Sequence, residues 1–183
     1  MGLRFHRCFI YLQNNFRDFQ PILHRARAAG LMITIHCGEL PCNNDSTFQE
    51  VKAILNFVPD RLGHALLLPT SLLSTMDTLR IPVESCPTSN VMTLELATDV
   101  HGHIVKGLQR HPQMGHWLET GYPISISTDD SGVFQTDPTK ELLLLALAFG
   151  VDQKFLRQLQ INSVNHCFCS VDIKARLLSV LER

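Results

Sequence analysis

Hydrophobic positions along the chain alternate between two periods. Phe16, Phe19, Ile22, Leu23, Ala26 and Ala29 recur at helical spacing, with Asp18 as a nearby cap, Pro21 in the first turn and Gly30 as the stop. Leu31 to Ile35 is a short apolar run with β-branched residues, as expected of a buried strand, and it ends in His36-Cys37-Gly38-Glu39. After a polar loop, an amphipathic helix is predicted over 47–57, then a second strand ending in Arg61-Leu62-Gly63-His64. A helix over 71–79 leads to a third strand, Ile81 to Ser85, which ends in Cys86-Pro87-Thr88-Ser89-Asn90. An irregular stretch follows, then a helix near 111–120 and a fourth strand, Pro123 to Ser127, ending in Thr128-Asp129-Asp130-Ser131-Gly132. From about Lys140 the pattern is helical, with a break near Gly150. Strand alternates with helix four times, which implies an α/β fold with a parallel sheet and covering helices. The chemically active residue types sit just past strand ends, the edge where such folds assemble sites.

Composition narrows the class. The chain has 183 residues, 45% hydrophobic and 18% charged, the profile of a globular protein rather than a disordered or collagen-like one. At that length one domain with a sizeable core is the default. The formal net charge of −1 leaves no electrostatic footprint for nucleic acid or an anionic membrane surface. Apolar runs such as 142–149 fall far short of the roughly 20 residues of a membrane span. The apolar stretch from Cys8 to Leu12 is too short for a secretory signal, so a cytoplasmic protein is expected. In that compartment the six cysteines, none at C-x-x-C spacing, read as reduced thiols rather than disulfides, a zinc ribbon or a redox pair. The H-x-E and P-C-x-x-C signature of the cytidine-type zinc deaminases is absent from the sequence.

Each candidate cluster has a chemical and a plain structural reading. His36 and Glu39 offer a metal-ligating imidazole and a proton-transferring carboxylate, or else a strand-end histidine satisfied by a carbonyl and a surface glutamate. Gly63 lets the backbone pass close to something and turns His64 toward the same mouth; otherwise His64 is a core histidine beside a tight turn. Asp129 and Asp130 are adjacent carboxylates whose repulsion makes sense beside a cation, or they belong to an Asp-Asp-Ser-Gly turn. His101-Gly102-His103 has the form of a metal pair, but no strand precedes it, and it reads as loop. Cys167 and Cys169 read as packing; His6, His24, His111, His116 and His166 receive no role.

The segments ITIHCGE, RLGHA, VESCPTSN and SISTDDSGVF, in this order and at these strand ends, resemble the adenosine/AMP deaminase family from about Phe16 to the C-terminus. TSNV and TDDSGVF are closer to its adenosine deaminase-like branch, whose members deaminate N6-methyl-AMP. The resemblance implies a partial (β/α)8 TIM barrel of the metal-dependent hydrolase type, carrying the last four β/α units. It implies a single domain over 1–183, N-terminally truncated, with 1–15 as a non-homologous start. The expected activity is zinc-dependent hydrolytic deamination at C6 of a purine nucleoside or nucleotide (N6-methyl-AMP, AMP or adenosine), releasing methylamine or ammonia. Carried over by position, His36 and Asp129 are zinc ligands, Glu39 is the proton donor to ring nitrogen N1, His64 orients or deprotonates the water, and Asp130 holds the N7 edge. Ala65 stands where relatives usually have glycine. These residue types suit the chemistry. Zinc makes water nucleophilic near neutral pH, a protonated carboxyl can supply N1, and an imidazole can handle the water's proton.

The family barrel opens with a strand ending in H-x-H, which supplies two further zinc ligands, and this sequence has no such strand. A (β/α)8 barrel takes about 250 residues, which agrees with a missing front half. Weak or no zinc retention is therefore expected, because catalytic zinc normally has three protein ligands; metal analysis of purified chain checks this. Unpaired strand edges are expected to promote self-association, checked by light scattering. Two further classes remain open: a catalytically inactive remnant that binds a nucleotide or a partner chain, and another metal-dependent amidohydrolase.

Overall fold

A computed structural model of the chain describes residues 2–5 and 15–182. The run from Cys8 to Leu12 and His6 lie outside them. The chain divides into two compact units, Met1–Val83 and Glu84–Arg183.

In the first unit, strands β1 (Gly2–Phe5), β2 (Met32–Cys37) and β3 (Arg61–His64) are parallel neighbours in chain order. No periodicity marks β1 in the sequence; its bonding partner reveals it, since Gly2 to Phe5 pair with Met32 to Ile35 in register. Helix α1 (Phe16–Ala28) joins β1 to β2. Its cap is Asn15, whose side chain accepts from the Arg17 N–H, rather than Asp18, and Pro21 lies inside the helix rather than in its first turn. Pro21 is tolerated on the exposed side of the helix, where a carbonyl left without its N–H partner meets water. Phe16 and Leu23 turn inward, but Ile22 is 56% exposed, so the buried stripe is narrower than the apolar spacing suggests. Gly30 adopts φ +81°, a left-handed stop that glycine enters without strain.

Helix α2 (Asp45–Phe57) begins at Asn44, which accepts from the Thr47 N–H at 2.9 Å. Its C-terminal carbonyls, on Phe57 and Val58, accept from the Arg27 guanidinium, which also lies over the Phe57 ring. Asp60 bonds Ile33 through both backbone and side chain and ties the start of β3 to β2. Helix α3 (Thr70–Leu79) packs Leu72 and Met76 into the core with Ile33, Leu55 and Leu62.

The second unit opens in β4 (Val83–Ser85), which straddles the boundary, and continues through α4 (Pro87–Thr93), a 3-10 turn (Thr98–Val100) and α5 (Ile104–Leu108). The stretch expected to be irregular is thus broken into short helices, each too brief to show periodicity. Helix α6 (Met114–Glu119) precedes β5 (Ile124–Ile126), and α7 (Ser131–Phe134), α8 (Pro138–Phe149), α9 (Gln153–His166) and α10 (Val171–Leu181) complete the unit. Its core gathers Leu108, Met114, Trp117, Tyr122, Ile124 and Leu145, all at most 2% exposed. Among the described residues no helix is long and apolar enough to cross a membrane.

Candidate active site

In the first unit, register does the assembling. Pairing of β2 with β3 sets His36 opposite Gly63 and Cys37 opposite His64. The loops that follow are stitched together, with the Ala65 N–H donating to the Cys37 carbonyl at 2.9 Å and the Leu67 N–H to the Gly38 carbonyl at 2.8 Å. The close approach at Gly63 is to the His36 ring, since a Cβ there would lie 2.2 Å from His36 Cδ2. A glycine is needed for the imidazole to stand where it does. The His36 and His64 rings meet edge to face, centroids 4.8 Å apart and planes at 83°. His64 Nε2 lies 3.7 Å from Glu39 Oε1, with His64 buried and Glu39 about one-third exposed. One ligand atom from each of His36, Glu39 and His64 falls within 4.8 Å of the others.

This cluster rests on an unusual backbone. His64 and Ala65 have φ of 61° and 49°, successive left-handed residues outside the glycine-favouring rule. The fold holds them there through the Ala65 N–H bond to Cys37. Cys37, between His36 and Gly38, is buried. Burial, reinforced by Glu39, Cys42 and Glu50, pushes its thiol up to about 12, so it stays a neutral thiol near neutral pH.

The second unit places Asp129 and Asp130. The Ser127 N–H donates to the Ser85 carbonyl at 2.9 Å, aligning the ends of β4 and β5. Asp129 follows with φ 57°, a conformation that aspartate tolerates better than most residues. Its side chain is half-buried, and Oδ2 accepts a 2.8 Å bond from the Ser89 hydroxyl. Asp130 is exposed and precedes α7, its carbonyl accepting from the Phe134 N–H at 3.0 Å. Asp129 and Asp130 form a bend rather than an Asp-Asp-Ser-Gly turn, since Ser131 and Gly132 open α7, and the Asp129 carboxylate accepts from a neighbour.

Other residues hold the strand-end segments in place. Glu141 is fully buried, and its carboxylate accepts from the Thr88 N–H at 2.9 Å and from the Thr136 hydroxyl. Nothing in the sequence pattern distinguished it from the other residues of an apolar helix. Ser89 lies in the VESCPTSN segment that follows β4, where its type alone does not mark it as a partner of Asp129. His111, given no role, is buried and caps α6, its Nδ1 accepting from the Gln113 and Met114 N–H groups. Its Nε2 lies 3.1 Å from the Asn90 amide. His101 and His103 lie exposed around a left-handed turn before α5, and among the described residues neither belongs to a metal-competent group. An open apolar groove of ≈ 270 Å³ in the second unit, lined by Ile126, Leu142, Leu159 and Leu177 among others, contains none of the candidate residues.

The adenosine deaminase family model matches residues 10–183. The chain is 31% identical over 167 residues to N6-methyl-AMP deaminase of Homo sapiens, covering 88% of this chain and 43% of the relative. It is 37% identical over 158 residues to the adenosine deaminase-like protein of Drosophila melanogaster, covering 86% of this chain and 42% of the relative. Among solved structures, the apo N6-methyl-AMP deaminase of Arabidopsis thaliana is similar at TM-score 0.80 and 28% identity, covering 94% of this chain and 47% of that one. The chain thus spans less than half the length of the relatives it matches, and its fold is that of a partial (β/α)8 barrel. Strand-end motifs, family match and structural likeness agree, and the chain belongs to the adenosine deaminase family.

Proposed function

We propose that this chain carries part of the site of a zinc-dependent hydrolytic deaminase acting on C6 of a purine nucleoside or nucleotide. N6-methyl-AMP, AMP and adenosine are the candidate substrates, with methylamine or ammonia released. The observation that carries the reading is the convergence of His36, Glu39 and His64 at adjoining strand ends in a chain of this family. N6-methyl-AMP deaminases among the relatives, and arabidopsis relatives solved with IMP and with GMP, favour a nucleotide over a nucleoside.

The donor chemistry fits a metal of this class. Imidazole nitrogen and carboxylate oxygen are the ligands zinc takes outside thiolate sites. In the first-unit cluster His36 is the donor read as a ligand, and Glu39 and His64 each bring a polar atom within 4.8 Å of it, as a proton donor and a base beside a metal would. In this reading His36 and Asp129 would hold the ion, which would supply Lewis acidity toward water near neutral pH. His64 orients the attacking water and takes its proton as the oxygen bonds to C6. Glu39, as a carboxylic acid, delivers a proton to N1 at the same stage, so the ring carries no full negative charge. Asp130 holds the N7 edge; the proton that His64 took passes to N6, the C6–N6 bond breaks to release the amine, and the C6 hydroxyl returns a proton to Glu39 as the carbonyl forms. Residues 1–183 act as one domain in the cytoplasm, and self-association through strand edges is expected of it.

Incubation of the zinc-supplemented chain with N6-methyl-AMP, AMP and adenosine tests the proposal. Conversion of at least one is expected, falling roughly 100-fold or more in Glu39→Gln. Nucleotide binding without turnover of any of the three points instead to a non-catalytic, nucleotide-binding chain. Absence of both binding and turnover contradicts the reading.

A further inference from the structure

We propose that the outer face of α10 is an interface between two copies of this chain, in which α10 packs antiparallel on α10 about a two-fold axis. The inference is independent of the metal reading and concerns a surface other than the strand edges. Ile173, Leu177 and Val180 recur at i, i+4 and i+7, so they share one stripe of the helix, yet they stand 48%, 42% and 65% exposed. No residue of α10 is fully buried. A helix of 11 residues is marginal by itself and draws its stability from packing an apolar face. Leu177 and Val180 also border the apolar groove whose other walls include Ile126, Leu142 and Leu159. Stripe and groove thus form one contiguous apolar patch, the kind of surface that marks a protein partner.

The charges beside the stripe select a second copy as the occupant. Asp172 and Arg176 are one turn apart, each one residue before a member of the stripe, so both border it on the same flank. Both are exposed. The other flank turns toward α9, where Lys174 Nζ donates to the Asn165 carbonyl at 2.6 Å. When two such helices pair antiparallel, like flanks meet, and Asp172 of each copy faces Arg176 of the other. A parallel pairing would set Asp172 on Asp172 and Arg176 on Arg176. The patch also holds a ridge of exposed side chains next to a groove, and a two-fold axis sets the ridge of each copy against the groove of the other. A formal net charge of −1 leaves little repulsion between copies.

Analytical ultracentrifugation of the 183-residue chain over a dilution series tests the inference. The variants are Val180→Glu, Asp172→Arg, Arg176→Asp and the double reversal D172R/R176D, with a melting curve of each taken at a dilution where wild type is monomeric. Wild type is expected to form a dimer that dissociates on dilution, and V180E to stay monomeric throughout. Each single reversal should weaken dimerisation roughly tenfold or more, because like charges then meet twice across the axis, and the double reversal should restore it. All these positions are exposed, so the dilute melts should stay close to wild type. If V180E fails to fold, the charge reversals alone decide. A wild type that is monomeric at every concentration overturns the inference. Association that a folded V180E leaves intact also overturns it and places the contact elsewhere, as at a strand edge. A folded double reversal that associates no better than the single ones overturns the antiparallel pairing.

Discussion

The two units prepare their candidate residues by different means. In the first, His36, Glu39 and His64 are set against one another directly by the register of two adjacent parallel strands. Room comes from a missing side chain at Gly63, and direction from two left-handed residues at the end of β3. In the second, the Asp129 carboxylate is supported at one remove by a hydroxyl on a short helix, and that helix is pinned by a buried glutamate. Direct packing tolerates little change of shape, whereas indirect support depends on every hydrogen bond in a chain of them. Substitutions should therefore act sterically in the first unit and through lost polar partners in the second.

The largest effect expected is in the second unit. Glu141→Ala strips partners from the Thr88 N–H and the Thr136 hydroxyl and empties a fully buried site. It should cost about 3 kcal/mol in denaturant titration. A loss below 1 kcal/mol would show that α4 is held by packing, and the contrast between the units would fail. In the first unit, Gly63→Ala should cost about 2 kcal/mol by overpacking, with displacement of the His36 ring visible in its NMR shifts.

A pH dependence separates the units further. Cys37 has its folded-state pKa raised by burial to about 12 from a value near 9, so the folded form holds its proton longer than the unfolded chain does. Its stabilising contribution is fully present below pH 9 and is lost as pH rises from about 9 to 12. The expected slope is roughly 1.4 kcal/mol per pH unit in that window. Comparing the alkaline stability curves of wild type and Cys37→Ala isolates it, with the variant curve flatter.

The smallest effect concerns Ala65, at φ 49° where glycine is the unstrained residue. Ala65→Gly should leave stability unchanged or raise it by up to about 1 kcal/mol. A clear destabilisation would mean that the Cβ makes contacts outweighing the strain.

What the sequence disclosed follows the range of the forces involved. Strand ends were readable because β-branched apolar runs stop at polar and glycine residues, and four such stops carried His36, His64, Ser89 and Asp129. Gly63 was identifiable as a point of close approach, though not as the seat of His36, since register is a property of the paired strands. Strand β1 was hidden because its four residues have no periodicity of their own and owe their conformation to pairing with β2. Asn15 rather than Asp18 caps α1; both residue types cap, and only backbone geometry separates them. Glu141 and His111 are illegible for a further reason. A buried polar residue is defined by partners 53 and 21 residues away, which no local window contains.

The central proposal is that His36, converging with Glu39 and His64 at the strand ends of the first unit, serves as a metal ligand. Isothermal titration of zinc into wild type and His36→Ala tests it most directly. The account predicts weak uptake of one ion by wild type and at least a tenfold loss in the variant. Uptake that His36→Ala leaves intact would contradict it.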